Sequence, residues 1–164
     1  MTLRSKPLAS RLRAALGAAL LGGLLLAGCR EQLVFYSYRA LPPAGWTRGD
    51  TLFFEATLPD SAACYRRVVE VRTRGSYPYR FLPVEVGCFS PDGALLSVDT
   101  ATITVADARG NWLGEGWGGL YETGAPLPVR CLGRAGVYRF YAVCLLDDAR
   151  VPAVNDVGLK LTLE

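Results

Sequence analysis

From Leu33 to the C terminus, apolar residues occur in short runs with a two-residue period, and Gly, Pro, Asn and Asp separate these runs. A two-residue period places side chains alternately on the two faces of a β-strand, whereas a helix needs apolar residues three and four positions apart. No long stretch has helical spacing. The pattern therefore predicts an all-β domain, a single antiparallel β-sandwich of jelly-roll or Ig-like type. The predicted strands span residues 33–39, 51–58, 65–74, 81–89, 94–105, 127–131, 137–145 and 157–163.

The third and fourth predicted strands show the alternation most clearly. In the third, Val69 and Val71 share one face and Arg72 lies on the other, and the fourth repeats the pattern. Each strand therefore has a core face and a solvent face. Residues 75–79 are predicted to turn the chain between these two strands, which would make them a hairpin. Pro91-Asp92-Gly93 predicts another turn, because Pro presets the backbone and Gly tolerates positive φ.

The first 28 residues have the layout of a signal peptide. Residues 1–13 carry four basic side chains and no acid, and residues 14–27 form an uncharged run rich in Leu, Ala and Gly. The run is shorter than the roughly 20 residues of a membrane-spanning helix. It ends in Leu26-Ala27-Gly28-Cys29, which resembles a bacterial lipobox. We expect cleavage before Cys29, a diacylglycerol and an N-acyl lipid on that cysteine, and a tether of residues 29–32 before a domain of residues 33–164. A secretory signal with an accidental cysteine is the alternative.

Removal of 28 of the 164 residues leaves enough chain for one domain and too little for two. The signal contains four of the 18 basic residues, so 14 basic residues remain against 15 acidic ones. This balance does not support a nucleic-acid surface. The chain has no histidine and no Cys-x-x-Cys spacing, so we expect no metal site and no cofactor.

Four cysteines remain after the lipidated one: Cys64, Cys88, Cys131 and Cys144. An even number in a chain exported to an oxidising compartment makes two disulfides plausible, and three pairings are possible. Buried free thiols are the alternative, and the connectivity stays open.

Residues 110–119 combine five glycines with two indoles and contain a formal Gly-x-Gly-x-x-Gly. A nucleotide site would require a helix directly after this segment, and no helical periodicity follows. One interpretation is an irregular loop in which Trp112 and Leu113 cover the edge of the core. The other is a binding loop in which Trp117 and Tyr121 form an exposed stacking surface for sugar or anchor a protein partner.

Catalysis is not expected. Without histidine, a serine or cysteine nucleophile lacks its usual general base. The carboxylates that could pair for hydrolysis are Asp147-Asp148, Asp156 and Glu115, and acids on loops are usually solvated. Arg72 is either an ordinary solvent-facing residue or an interfacial guanidinium paired with a carboxylate such as Asp99 or Asp156.

A set of motifs follows in a fixed order along the chain: the lipobox cysteine, Trp46, Asp50, Phe54, Arg72, Tyr77-Pro78, Pro91-Asp92-Gly93, Asp99-Thr100, Gly110-Asn111-Trp112-Leu113-Gly114, Gly116, Gly136-Val137-Tyr138 and residues 154–161. This order and spacing resemble the GldH-type gliding-motility lipoproteins. The four further cysteines and residues 145–150 depart from the family pattern.

The resemblance implies an outer-membrane lipoprotein that serves the gliding machinery and its associated protein secretion through protein contacts, without catalysis. We expect the periplasmic face of the membrane, because Arg30-Glu31-Gln32 carries a single acid. Our own candidates for binding are Trp112, Trp117, Tyr121 and Arg72. A glycan-binding module is the alternative and requires an exposed Trp117 or Tyr121 beside polar groups. A small hydrolase would require two converging acids.

Overall fold

The computed structural model describes residues 31–59 and 63–164, and Gln32–Glu164 form one compact unit. The predicted signal peptide and Cys29 lie outside the described residues. Within them the chain forms eleven strands: β1 (Leu33–Ala40), β2 (Trp46–Thr47), β3 (Thr51–Leu58), β4 (Cys64–Arg74), β5 (Phe81–Phe89), β6 (Leu95–Thr104), β7 (Glu115–Trp117), β8 (Leu120–Cys131), β9 (Gly136–Cys144), β10 (Arg150–Val151) and β11 (Val154–Leu163). In this part of the chain no helix is long and apolar enough to cross a membrane.

Two antiparallel sheets form a sandwich, which confirms the predicted fold class. The first sheet has the order β1-β11-β4-β8-β7, the second has the order β3-β9-β5-β6, and β10 pairs with β2 separately. Without the short β2, β7 and β10, the eight long strands in chain order are arranged 1-8-3-6 and 2-7-4-5. This is the arrangement of a jelly roll, in which two Greek keys close one core. Each long strand overlaps one predicted strand, but β8 begins seven residues before its predicted start at residue 127, and β11 begins three residues before its predicted start at residue 157.

The core lies between the inward faces of the two sheets. Val69 and Val71 of β4 face it from one side, and Leu82 and Val84 of β5 face it from the other; all four side chains are buried. Each such burial contributes about 1.5–3 kcal/mol relative to exposure. Trp46 is also fully buried, and its indole N–H donates to the carbonyl of Asp50 at 3.0 Å.

The prediction that residues 75–79 join a β4–β5 hairpin is wrong. β4 pairs with β11 and β8, whereas β5 pairs with β6 and β9, so this connection crosses from one sheet to the other. Buried Tyr77 lies in the crossing, and its hydroxyl donates to the carbonyl of Phe81 at 3.0 Å. Alternation identifies which face of a strand is buried, and two strands facing each other across a core show the same alternation as two strands side by side.

The predicted turn at Pro91-Asp92-Gly93 is present between β5 and β6. Gly93 has a φ of +85°, and its N–H donates to the carbonyl of Ser90 at 2.9 Å. Because glycine has no Cβ, it adopts this left-handed backbone without a steric penalty. β5 and β6 are consequently neighbours in the second sheet.

One disulfide joins Cys64 of β4 to Cys131 of β8, which are directly opposed in the first sheet. Cys88 and Cys144 are buried and free, so the expected second disulfide is a wrong prediction. Their strands β5 and β9 are neighbours, but Cys88 lies opposite Phe140 and Cys144 opposite Val84. This offset of four residues separates the two cysteines by roughly 13 Å along the strands, beyond the reach of a disulfide. Burial raises the pKa of the Cys88 thiol to about 11.

A buried ion-pair cluster links the two sheets, and sequence reasoning did not find it. Arg67 of β4 points inward with a fully buried side chain, and its Nη2 lies 2.7 Å from Oδ2 of Asp99 in β6. The same Nη2 donates to the carbonyl of Pro128 at 2.7 Å. Arg130 of β8 donates to Oδ1 of Asp99, also at 2.7 Å. Burial alone would raise the pKa of Asp99, but the hydrogen bonds from Arg130 and Arg67 outweigh it and lower that pKa.

Candidate functional site

A short hairpin at the edge of the first sheet carries Trp117. β7 pairs with the first residues of β8, and Gly118 and Gly119 form the two-residue turn between them. Both glycines have positive φ, +63° and +80°, which is the requirement of the type I′ turn that fits the twist of a hairpin. The turn leaves Trp117 93% exposed at the end of β7.

A groove of ≈ 460 Å³ lies beside this hairpin on the outer face of the first sheet, lined by Arg72, Glu115, Gly116, Trp117, Leu120 and Glu122. Three of these residues lie in one row across β4, β8 and β7, because Arg72 is opposite Glu122 and Glu122 is opposite Glu115. The volume is in the range of small-molecule pockets, about 300–1,000 Å³. We call this site the Trp117 groove.

Arg72 is held in the groove by two contacts. Its Nε donates to Oε2 of Glu122 at 2.9 Å, and its guanidinium carbon lies 3.8 Å from the centre of the Tyr38 ring. The hydrogen bond to Glu122 raises the pKa of Arg72. Asp99, one of the carboxylates expected to pair with Arg72, instead accepts hydrogen bonds from Arg67 and Arg130.

Tyr38 forms part of the support for Arg72. Its hydroxyl donates to Oε2 of Glu70 at 2.7 Å, and burial is the main reason that its pKa is raised. The ring packs closely over Gly158, where an added Cβ would lie 2.6 Å from Cε1 of Tyr38. A glycine at position 158 is therefore required for the ring of Tyr38 to lie flat beneath Arg72.

Trp112 and Tyr121 form a second aromatic pair, apart from the groove. Their rings are stacked with centroids 5.0 Å apart and an interplanar angle of 12°. Both side chains are partly buried, and Trp112 packs against the core. Tyr121 is opposite Thr73, which is fully buried, so Tyr121 lies on the inward side of the sheet. The expectation of a joint exposed surface of Trp117 and Tyr121 is therefore wrong, because strand alternation sends Tyr121 and Trp117 to opposite sides.

The loop before the hairpin is organised by Asp107. Its Oδ1 accepts hydrogen bonds from the backbone N–H groups of Arg109 and Asn111, and its Oδ2 accepts one from the Asn111 amide. These bonds lower the pKa of Asp107. Leu113 is 55% exposed and, unlike Trp112, does not cover the core. The formal glycine motif continues into β7 and its turn instead of a helix, so it is part of a hairpin.

The carboxylates considered for hydrolysis are spread over separate elements. Asp147 and Asp148 lie on the loop before β10, and Asp147 pairs with Arg48 at 3.3 Å on the surface. Asp156 is on β11 and Glu115 on β7, with β4 and β8 between them in the sheet. Among the described residues, no group of three or more Cys, Asp or Glu side chains could hold a metal ion.

The outer face of the second sheet has a different chemistry, which sequence reasoning missed. Phe53, Tyr141, Gly87 and Val98 lie in register across β3, β9, β5 and β6. We call these four residues the apolar row. Phe53 and Val98 are 44% and 46% exposed, and a Cβ on Gly87 would overlap the ring of Tyr141. The signal for this face was an apolar residue at the solvent-facing positions of several predicted strands.

Arg139 lies beside the apolar row. Its guanidinium carbon is 5.0 Å from the centre of the Phe53 ring and 5.2 Å from that of Phe89. Val137, two positions along the same strand, is 50% exposed. Two acids share this face: Glu55 is opposite Arg139, and Glu85 accepts a hydrogen bond from the Tyr141 hydroxyl at 2.9 Å. The face therefore combines exposed aliphatic and aromatic groups with charges of both signs, and its aromatic residues and arginine are of the types enriched in protein–protein interfaces.

A comparison with known families and proteins places the chain in context. The family model described as "GldH lipoprotein" matches residues 33–161. The gliding motility lipoprotein GldH of Flavobacterium johnsoniae is 29% identical over 153 residues, which cover 88% of this chain and 94% of that protein.

Two solved structures align with low similarity. Dimeric latent PorU from Porphyromonas gingivalis aligns with a TM-score of 0.37 and 8% identity. The alignment covers 84% of this chain and 14% of the PorU chain. The globular domain of zebrafish complement 1qA aligns with a TM-score of 0.39 and 10% identity, over 82% of this chain and 96% of that domain. The family match covers nearly the whole β-sandwich. The chain therefore belongs to the GldH lipoprotein family.

Proposed function

We propose that this protein is a lipid-anchored, non-catalytic component of the bacterial gliding apparatus, and that it acts as an accessory or assembly component of the associated protein-secretion machinery. Membership in the GldH lipoprotein family supports this role. So does the similarity to a protein named for gliding motility, of which the chain covers 94%. The proposed anchor is a diacylglycerol and an N-acyl lipid on Cys29, on the periplasmic face of the outer membrane.

The observation that carries a protein-contact role is the apolar row on the second sheet. Soluble proteins rarely leave a large continuous apolar surface unused, and such surfaces mark interaction sites. Phe53 and Val98 are almost half exposed at two edges of this sheet, with the Tyr141 ring between them. The proposed occupant is a machinery protein whose surface presents aliphatic side chains to Phe53 and Val98, because these are the exposed apolar groups of the row.

The proposed tether limits how far from the membrane surface this partner can lie. Three residues, 30–32, separate the proposed lipid site at Cys29 from the domain boundary expected at Leu33, and an extended chain of this length spans at most about 14 Å from Cys29 to Leu33. The domain is thus held near the membrane surface. A partner that contacts the apolar row must also lie close to that surface, as an envelope-associated protein would.

The decisive experiment is deletion of the gene in its own host, with colony spreading and the secreted proteome measured together. We expect at least one of these to be lost and the wild-type gene to restore it. The Val98→Lys variant should fail to restore it, because it places a charge in the apolar row. Thr104→Lys is the matched control, since Thr104 is exposed on the same strand but outside the row.

Normal spreading and normal secretion after deletion would contradict the machinery role. If the Val98→Lys and Phe53→Ser variants both restore the lost phenotype, the apolar row is not the contact surface. Membrane fractionation and the presence of the Cys64–Cys131 disulfide would establish that each variant is exported and folded.

A further inference from the structure

The Trp117 groove lies on the outer face of the first sheet, whereas the apolar row lies on the outer face of the second. The prominent feature of the Trp117 groove is the indole of Trp117, which is 93% exposed although it belongs to a strand. β7 and the Gly118-Gly119 turn fix the backbone on which this indole stands. An aromatic ring on a fixed backbone loses little conformational entropy when a ligand stacks on it.

The polar lining of the groove contains both donors and acceptors of strong hydrogen bonds. Glu115 and Glu122 are directly opposite each other on neighbouring strands, an arrangement of like charges that is unfavourable by itself. Arg72 bonds to Glu122 through Nε. A guanidinium has further N–H donors, and each carboxylate accepts more than one hydrogen bond.

The charges of the groove disfavour an anionic ligand. Arg72 pairs with Glu122, so Glu115 leaves the lining with one net negative charge. A sugar hydroxyl can donate to a carboxylate and accept from a guanidinium at the same time, so adjacent hydroxyls match adjacent acid and base. The C–H face of a pyranose ring is apolar and packs against an aromatic ring, which supplies the remaining apolar contact.

We propose that the Trp117 groove binds a neutral oligosaccharide, with one pyranose ring stacked on Trp117 and its hydroxyls bonded to Glu115, Glu122 and Arg72. The volume of ≈ 460 Å³ accommodates a ligand of this class. Tyr38 contributes from below, because it holds the guanidinium of Arg72 at 3.8 Å from its ring. The groove is open on the sheet face, so a longer chain can continue beyond the bound ring.

The test is binding of defined neutral oligosaccharides to the full lipid-anchored protein, purified in a zwitterionic detergent so that no sugar head group competes. The probes are hexasaccharides of α-1,4-glucose, β-1,4-glucose and N-acetylglucosamine, measured by calorimetry and by acrylamide quenching of tryptophan fluorescence. We expect at least one probe to bind and to reduce quenching. Trp46 is fully buried and Trp112 partly buried, so Trp117 should dominate the quenchable signal.

Substitutions then locate the site. Trp117→Ala should weaken binding by about tenfold or more, the loss expected for a central aromatic contact. Glu122→Gln should also weaken it, because it removes an anionic acceptor. Leu113→Ala is the matched control: Leu113 is exposed near the hairpin but does not line the groove, so affinity should not change.

Several outcomes would overturn the proposal. These are the absence of binding by all three probes, equal affinity of Trp117→Ala and wild type, and tighter binding of an oligogalacturonate than of every neutral probe. If Trp117→Ala instead loses a co-purifying protein while no sugar binds, the groove is a protein contact. None of these results depends on the Val98→Lys experiment, so the two proposals can fail separately.

Discussion

Arg67 has no exposed side-chain surface, and its charge is compensated inside the sandwich by Asp99. Removing one partner of a buried ion pair leaves an unpaired buried charge, which typically costs about 3–5 kcal/mol. We therefore expect Asp99→Ala to lower the free energy of unfolding by about that amount, measured by urea denaturation. Asp147→Ala is the control, because its pair with Arg48 is exposed and should contribute at most about 1 kcal/mol. Equal effects would mean that the cluster does not stabilise the fold.

The same carboxylate makes stability depend on pH. The pKa of Asp99 is lower in the folded protein than its ordinary value, so the folded state binds a proton less readily than the unfolded chain. Its contribution is complete above about pH 4, the ordinary range of an aspartate, and is lost as the pH falls through the lowered pKa. Urea midpoints measured from pH 7 downward should decline less steeply below pH 4 in Asp99→Asn than in wild type. Parallel curves would contradict this linkage.

At the scale of elements, the β7–β8 hairpin depends on two glycines with positive φ. A Cβ at Gly118 would meet no other atom, so any effect of Gly118→Ala comes from backbone strain. The left-handed conformation costs an alanine roughly 1–2 kcal/mol. Because hydrogen-bonded pairs alternate along an antiparallel ladder, we expect faster hydrogen exchange at the amides of Glu115 and Trp117 and little change in global stability. Gly133→Ala is the control, because that glycine also has open space around it and lacks positive φ.

The elements themselves were predictable to very different degrees. Alternation locates each of the eight long strands, because a half-buried strand must present apolar side chains at every second position. It does not give their full length, since only the last five residues of β8 were predicted. Alternation does not show which strands pair with each other. β4 and β5 show the same pattern whether they pair or face each other, and only the crossing at Tyr77 distinguishes the two arrangements. Two- and three-residue strands such as β7 are too short for any period to be visible.

The sequence identified individual residues of the candidate site, but not which of them lie together in the fold. Trp117 and Arg72 both line the groove, but nothing in the sequence indicates that Glu122 brings them together through the register of β4, β8 and β7. Trp112 was singled out for the same reason as Trp117, yet its ring stacks on Tyr121 and supports the hairpin. Only the strand pairing shows that Trp117 lines the groove and Trp112 does not. That pairing depends on contacts between positions distant in the sequence.

For the whole molecule, the sandwich presents two outer faces of different chemistry. One carries the mixed charges and the exposed indole of the Trp117 groove, and the other carries the apolar row. Because the two faces belong to different sheets, a ligand on one leaves the other accessible. The described domain begins with β1, an edge strand of the first sheet, so the proposed tether joins the domain at an edge.

If the lipid on Cys29 is the main attachment, Cys29→Ala should release the protein from membranes and leave the domain folded, because the core and the Cys64–Cys131 disulfide lie entirely within Gln32–Glu164. A single acyl chain gives only marginal membrane binding, whereas several chains give lasting attachment, so loss of the lipidated cysteine should move most of the protein to the soluble fraction. Fractionation with Cys88→Ala as the control measures this. A Cys29→Ala protein that remains in the membrane pellet would show that another contact provides the tether.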